Sequence, residues 1–311
     1  MNTLKNILVI IDTNSESQLA LSRALTLARA TGARITAFMS IYDFSYEMTT
    51  MLSHQERDAM REAVVADRKL WLQQIIDSQY SDYDKIDINV LWHSRPFEAI
   101  ISTVIKESFD LVVKSTKQHD VLKSLIFTPT DWHLLRKCPC PVLLVKDIRW
   151  QDDGRILAAV HTGSDADHHK SLNDKILDTA TSLAQLINAD VHLVNSYPGT
   201  PVNIAIEIPE FDPNEYNSVV REHHENAVSD LANEYDINLS NTHIEEGLTE
   251  DVIPKVSEEI NAELLVIGTI GRTGFSAAII GNTAEHVIDR INCDVLAIKP
   301  KGYVSPLEED L

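Results

Sequence analysis

The sequence predicts an α/β protein built from two tandem, doubly wound parallel-sheet domains. Three observations carry that prediction. Short apolar runs alternate with helical segments, one pattern is written twice, and 311 residues suit about two domains. Runs such as ILVII and VLLVK are apolar at every position, which is how strands read when helices cover both faces of a parallel sheet.

Each copy reads in the same order: strand, helix, strand, long helix, strand, helix, strand, polar or glycine loop, helix, strand. In the first copy the strands are ILVII, ITAFMSI, DINVLW, LVVK and VLLVK. KNILVIIDTNSESQ at the start resembles GRILAAVHTGSDAD at 154–167 and aligns Asp12 with His161. LARATGARITAFMSIY matches LAQLINADVHLVNSYP, a helix end running into a strand. From Asp110 to Lys146 the first copy overlays Glu263 to Lys299 without a gap, so His133 meets His286 and Cys140 meets Cys293. The expected domains are 1–147 and 154–302, joined by the polar DIRWQDDGR, with 303–311 as a fraying tail.

Composition narrows the class. The chain is 44% hydrophobic and 24% charged, ordinary for a globular protein with a core. No apolar run approaches the roughly 20 residues of a membrane span, so no membrane insertion is expected. MNTLKNILVIIDTNSES reads as a first strand rather than a leader. Three cysteines make no disulfide framework, and Cys138 and Cys140 are too close to pair comfortably; a cytoplasmic, reduced protein is expected. Residues 1–150 hold 18 Lys and Arg and 18 Asp and Glu, whereas residues 151–311 hold 9 and 29, so the formal net charge of −20 lies in the second half. A nucleic-acid surface is excluded there on charge.

One loop carries chemistry. GTIGRTGFSAAIIGNT places Gly268, Gly271 and Gly281 after an apolar strand and before the helical AEHVIDRI. Backbone N–H groups approach an anion closely only where no Cβ intervenes, and a helix start offers free N–H groups with a positive dipole end. Asn282 or Thr283 then caps that helix or bonds a phosphate oxygen, while the plain alternative is a tight turn followed by an N-cap. The spacing of glycine, two residues, glycine, nine residues, glycine resembles the universal stress protein family, and the closeness of FTPTDWHLLRKCP and GTIGRTGFSAAIIGNTAEHVIDR points to its tandem, two-domain branch. The resemblance covers nearly the whole chain. It implies that Gly268, Gly271, Gly281 and the residue after hold ribose and phosphates of an ATP-type nucleotide with magnesium. It also implies that the residue closing the first strand meets adenine, and that the two copies pack about a pseudo-two-fold axis, with a homodimer of the whole chain as a further expectation.

Neither copy carries the full pattern. The first keeps Asp12 but has Ser115, Gln118 and Thr128 at the three glycine positions, where side chains narrow the approach of a phosphate chain. No nucleotide is expected there. The second keeps the glycines but has His161 for the aspartate. Neutral histidine offers one donor and one acceptor. Screening at cellular salt leaves the phosphate chain to local groups: Arg272, Arg290, the helix start and magnesium.

Three function classes follow from these residues. The leading one is a non-enzymatic stress-response protein that binds a small-molecule ligand in its second half. An enzyme, a slow ATPase or nucleotidyl transferase, is the second. The third is a carrier of a partly apolar, lipid-like molecule, because YPGTPVNIAIEIPEFDPNEY (197–216) alternates apolar residues between prolines and suits either a pocket wall or an extended connection. The histidines of DADHHK (Asp165, Asp167, His168, His169) and REHHEN (His223, His224) read as solvated faces rather than a metal site, since adjacent helical residues point about 100° apart. Asp131-Trp132-His133 reads as a helical segment, with Trp132 packing and His133 bonding locally.

Overall fold

The structure is a computed structural model and describes residues 4–46, 52–118, 125–163, 167–200, 212–269 and 280–308. The chain divides into two compact units, residues 2–145 with 304–311, and residues 146–303.

The first unit runs β1 (Asn6–Ile10), α1 (Leu19–Thr31), β2 (Arg34–Ile41), α2 (His54–Gln79), β3 (Ile86–Trp92), α3 (Pro96–Glu107), β4 (Leu111–Ser115), α4 (Pro129–Lys137) and β5 (Val142–Val145). Its strands are all parallel in the order β5-β4-β1-β2-β3. Ile7, Leu8, Val9, Leu111, Val112 and Val113 are fully buried, as a sheet covered on both faces requires. The helix ends obey local chemistry. α1 stops where Gly32 takes the left-handed conformation at φ 74°, and α2 starts on a reciprocal Ser53–Glu56 capping box.

The second unit repeats this as β6 (Gly154–Ala159), α5 (Asp167–Ile187), β7 (Ala189–Tyr197), α6 (Pro213–Glu234), β8 (Thr242–Glu246), α7 (Thr249–Glu259), β9 (Leu264–Gly268), α8 (Asn282–Arg290) and β10 (Asp294–Ile298). The order β8-β7-β6-β9-β10 is again wholly parallel. In both units the chain leaves the first strand toward one edge and returns on its other side. The order therefore reverses beside β1 and β6, and the carboxyl ends there frame the crevice where ligands bind in open α/β sheets.

Two expectations change. The segment 197–216, expected as a pocket wall or an extended connection, has structured ends: Tyr197 closes β7, and Pro213 opens α6, whose first turn is capped by Asp212 accepting from the N–H groups of Asn214 and Glu215. Residues 201–211, with the alternating Val202 to Ile208, lie outside the described residues. The C-terminal residues do not simply fray, because Ser305 is buried and residues 304–311 group with the first unit. Among the described residues no helix is long and apolar enough to cross a membrane.

Candidate functional site

The carboxyl edges of the two sheets pose one problem twice. β4 and β9 each deliver the chain toward a short helix, α4 or α8, whose first N–H groups have no intrahelical partner. The two units solve it differently.

In the first unit, Thr128 caps α4. Its hydroxyl accepts from the Asp131 N–H at 3.3 Å, while one Asp131 oxygen accepts from the Thr128 N–H at 2.7 Å and from the Thr128 hydroxyl at 2.8 Å. The Lys114 ammonium at the end of β4 lies 2.7 Å from the other oxygen, in an ionic contact off the line of a hydrogen bond. Asp131 has no exposure at all, and Pro129 removes one more N–H from the helix start. This unit thus holds its own carboxylate where an external anion would sit. Ser115 ends β4 and accepts from Lys114 through its carbonyl, and Gln118 pairs with Leu125 in a two-residue antiparallel ribbon. The Asp12 carboxylate is engaged in a turn, accepting from the Asn14 N–H at 2.9 Å.

In the second unit the residues at the positions of Lys114, Thr128 and Asp131 are Ile267, Gly281 and Ala284. Gly281 is the N-cap of α8, and among the described residues no side chain caps the helix start. Asn282 and Thr283 are therefore not caps, which corrects the capping role expected of them; they are the first helical residues and both are exposed. Gly281 spends its own N–H on the Thr269 carbonyl at 3.0 Å, so the open amides belong to Asn282, Thr283 and Ala284. Among the described residues, the near neighbour of a Cβ at Gly281 would be that carbonyl, 3.9 Å away.

Gly268 closes β9 at the carboxyl edge, but its missing side chain serves packing. A Cβ there would lie 2.6 Å from Cδ2 of the buried Leu172 on α5. The glycine makes room for that side chain. Gly271 and Arg272 lie outside the described residues. Arg290 reaches α7, donating to the Glu250 carbonyl and pairing with Asp251 at 2.5 Å. The buried cation beside the end of β9 is Lys299, whose ammonium donates to the Thr269 hydroxyl at 2.9 Å and lies over the Tyr303 ring.

The end of β6 meets α5 and α6. Asn173 clasps the backbone of His161, accepting from its N–H at 3.0 Å and donating to its carbonyl at 2.8 Å. Gln18 does the same to Asp12 in the first unit. Both main-chain groups at this position are thereby used, and the His161 imidazole is exposed, 4.6 Å from the His169 ring. Further in, the His224 ring stacks on Tyr197, with Nδ1 2.7 Å from Asn195 Oδ1 and 2.9 Å from the Thr162 hydroxyl. Burial, then the neighbouring His223 and His161, hold its pKa below the ordinary histidine value.

Sequence reasoning missed Asp131 as the plug of the first site, although its replacement by Ala284 is visible at the constant offset. It missed His224 because α6 is far from β6 in sequence. His133 does not bond locally as expected: it stacks on Phe97 at 3.9 Å, its buried Nδ1 has no partner among the described residues, and burial with Lys137 and Arg136 lowers its pKa. No group of three or more metal-binding side chains occurs among the described residues.

Comparison with known proteins follows this duplication. The model of the universal stress protein family matches residues 3–146 and again 155–299. Universal stress protein E of Escherichia coli K12 is 50% identical over 311 residues, covering all of this chain and 98% of the relative. The universal stress protein E homolog of Haemophilus influenzae is 43% identical over 301 residues, 95% of this chain and 97% of its own. These relatives are named as stress proteins and not as enzymes. Among solved structures, a functionally unknown protein of Pseudomonas aeruginosa PAO1 superposes with a TM-score of 0.75 at 30% identity, covering 99% of this chain and 97% of that one.

Proposed function

The chain belongs to the universal stress protein family, and we propose that it is a cytoplasmic, stress-responsive ligand-binding protein whose second unit takes an ATP-type nucleotide at the open start of α8. The observation that carries this reading is the contrast between the two helix starts. α4 is closed by the Thr128–Asp131 box and the Lys114 ammonium, whereas α8 begins with no side-chain cap among the described residues; its first-turn acid, Glu285, stands one place after the position of Asp131. Free amides and the positive dipole end stabilise an anion by about 0.3–1 kcal/mol, more where the site is partly buried, and Lys299 adds a cation beside β9. The first unit is not a second nucleotide site, because its own carboxylate occupies the same place.

Isothermal titration of the full chain with ATP, with and without Mg²⁺, tests the reading. The variant Gly281→Thr/Ala284→Asp rebuilds the first unit's capping box in the second. It is expected to lower ATP affinity at least about tenfold while leaving the fold intact, judged by circular dichroism. Wild-type protein that binds no ATP up to millimolar concentration, or a double variant that binds as well as wild type, refutes it.

A further inference from the structure

We propose that the first unit carries a binding site of its own at the amino ends of β1, β2 and β3, and that it takes a neutral molecule with neighbouring hydroxyls, a sugar or a polyol. The site lies in the other unit from the nucleotide loop and at the amino rather than the carboxyl edge of its sheet. Neither reading depends on the other.

A parallel sheet covered on both faces calls for apolar residues throughout. One face of the first sheet departs from this at its amino end. Asn6 stands opposite Arg34, and Thr36 stands opposite Asp87. Arg34 and Thr36 are two apart on β2, as are Asp87 and Asn89 on β3, so all five side chains share one face. Together with Glu107 at the end of α3 and Phe109 just after it, they line a cleft of about 330 Å³. Small-molecule sites begin at roughly 300 Å³. Thr36 is only 7% exposed, yet its hydroxyl has no hydrogen-bond partner among the described residues, and the Asn6 and Asn89 side chains have none there either. A nearly buried hydroxyl left so is costly until a ligand or water supplies the bond.

The second unit fills the same corner. His192 stands opposite Leu157 as Thr36 stands opposite Leu8, and these two leucines match in the duplicated first strand. On the next strand His243 lies beside Val194, two residues past His192, just as Asn89 lies beside Phe38, two residues past Thr36. His192 and His243 are therefore the counterparts of Thr36 and Asn89. The two imidazoles bond each other at 3.0 Å, and Arg155, at the place of Asn6, donates to the Ile260 carbonyl. The shorter Thr36 and Asn89 make no such bond. Space that two rings take up in the second unit stays open in the first.

The lining selects the ligand. Arg34 and Asp87 pair at 3.0 Å and neutralise each other, and with side chains 65% and 57% exposed the pair is weak enough to share its groups. Among the lining residues Glu107 is then the unneutralised charge, so no spare cation holds a phosphate or carboxylate. A cleft this polar does not suit an apolar molecule either. The two amides and the hydroxyl each donate and accept, the guanidinium donates as a fork, and the carboxylates accept. Neighbouring hydroxyls also donate and accept, which lets them meet this mixture pair by pair. Phe109 supplies an apolar wall for the C–H groups between them.

Maltose, sorbitol and putrescine, titrated separately into the full chain, test the proposal through the side-chain amide NMR signals of Asn6 and Asn89. Maltose or sorbitol is expected to move both signals with a Kd in the millimolar range, maltose marking a sugar site and sorbitol a polyol site. Thr36→Val removes the hydroxyl at nearly constant volume and should weaken that binding about fivefold, the worth of one hydrogen bond. Thr36→His/Asn89→His rebuilds the second unit's filling and should abolish it; Thr36→Val carries the test if the double variant does not fold. No shift with maltose or sorbitol up to roughly 100 mM, too weak for a specific site, would overturn the proposal. So would a response to putrescine alone, which marks a cation site, or wild-type affinity in Thr36→Val. Absence of ATP binding would leave it standing.

Discussion

Replacing Asp131 should be among the most costly single changes in the first unit, and replacing Lys114 together with it should be much milder. The carboxylate has no exposure and the Lys114 side chain is 13% exposed, with 2.7 Å between charges. At an effective dielectric constant of about 20, a pair at that distance attracts by about 6 kcal/mol, from which desolvation of both groups takes back a large part. Asp131→Ala also removes a helix cap, about 1 kcal/mol, and strands a nearly buried ammonium. The expected loss is about 3–5 kcal/mol. Lys114→Ile alone leaves the carboxylate supported by Thr128 and the helix start, and should cost about 2–4 kcal/mol. The double change Lys114→Ile/Asp131→Ala installs the residues found in the second unit, leaves no unpaired charge, and should cost about 1–2 kcal/mol. Urea unfolding read by tryptophan fluorescence suits the measurement, because Trp71, Trp92 and Trp132 all lie in the first unit. A coupling energy below about 0.5 kcal/mol, with the double loss equal to the sum of the single ones, refutes the account of Asp131 as an internal counter-anion.

Three other outcomes follow from the second unit and the buried thiols. Gly268→Ala drives a methyl into Leu172 and should cost about 1–3 kcal/mol, with most of the loss recovered in Gly268→Ala/Leu172→Ala; equal losses in both would show that packing is not the reason for the glycine. His192 and His243 share a hydrogen bond of 3.0 Å across β7 and β8, and burial lowers both pKa values, His192 to about 4. The unfolded chain, with histidine near 6.5, binds more protons, so this contribution is complete above about pH 6.5 and fades toward pH 4. It should be worth on the order of 2–3 kcal/mol, and the wild-type stability slope between those pH values should flatten in His192→Leu. The hydrogen bond with Cys138, then burial, raise the Cys140 thiol well above its ordinary value, and burial pushes Cys293 up to about 11. Iodoacetamide at pH 8 should therefore label them only after unfolding, and rapid labelling of the native protein would contradict their burial.

The sheets were legible because their strands are apolar on both faces and the second copy repeats the first at a fixed offset from Asp110 onward. ILVII, ITAFMSI, DINVLW, LVVK and VLLVK all fall on observed strands to within a residue or so. Gly268 stands at the carboxyl edge as its place after LLVI implied, yet the reason for it, the Leu172 side chain, comes from α5 and no local pattern announces it. The helix starts were legible only by comparison. Thr128-Pro-Thr-Asp131 is a capping sequence in plain view, and its loss in Gly281-Asn-Thr-Ala284 is what sets the second unit apart. The burial of His224 was not legible, because its partners Asn195 and Thr162 come from β7 and the end of β6, remote from α6 in sequence.

The duplication explains why the net charge of −20 does not forbid an anionic ligand in the acidic half. What a phosphate meets is decided within a few ångströms, since charges beyond roughly 10 Å are screened at cellular salt. At that range the neutral first half is the less hospitable one. Its helix start already carries the buried Asp131 carboxylate, and Lys114 is spent on that group. In the acidic half the same place holds Ala284, and Lys299 stands beside the end of β9. Stability and binding compete for the same amides: a helix start that accepts its own side chain gains a cap and loses a ligand site. On this reasoning Gly281→Thr/Ala284→Asp should raise the stability of the second unit by about 1 kcal/mol as it weakens ATP binding. A variant that loses both stability and binding would show that the open start of α8 has some other cause.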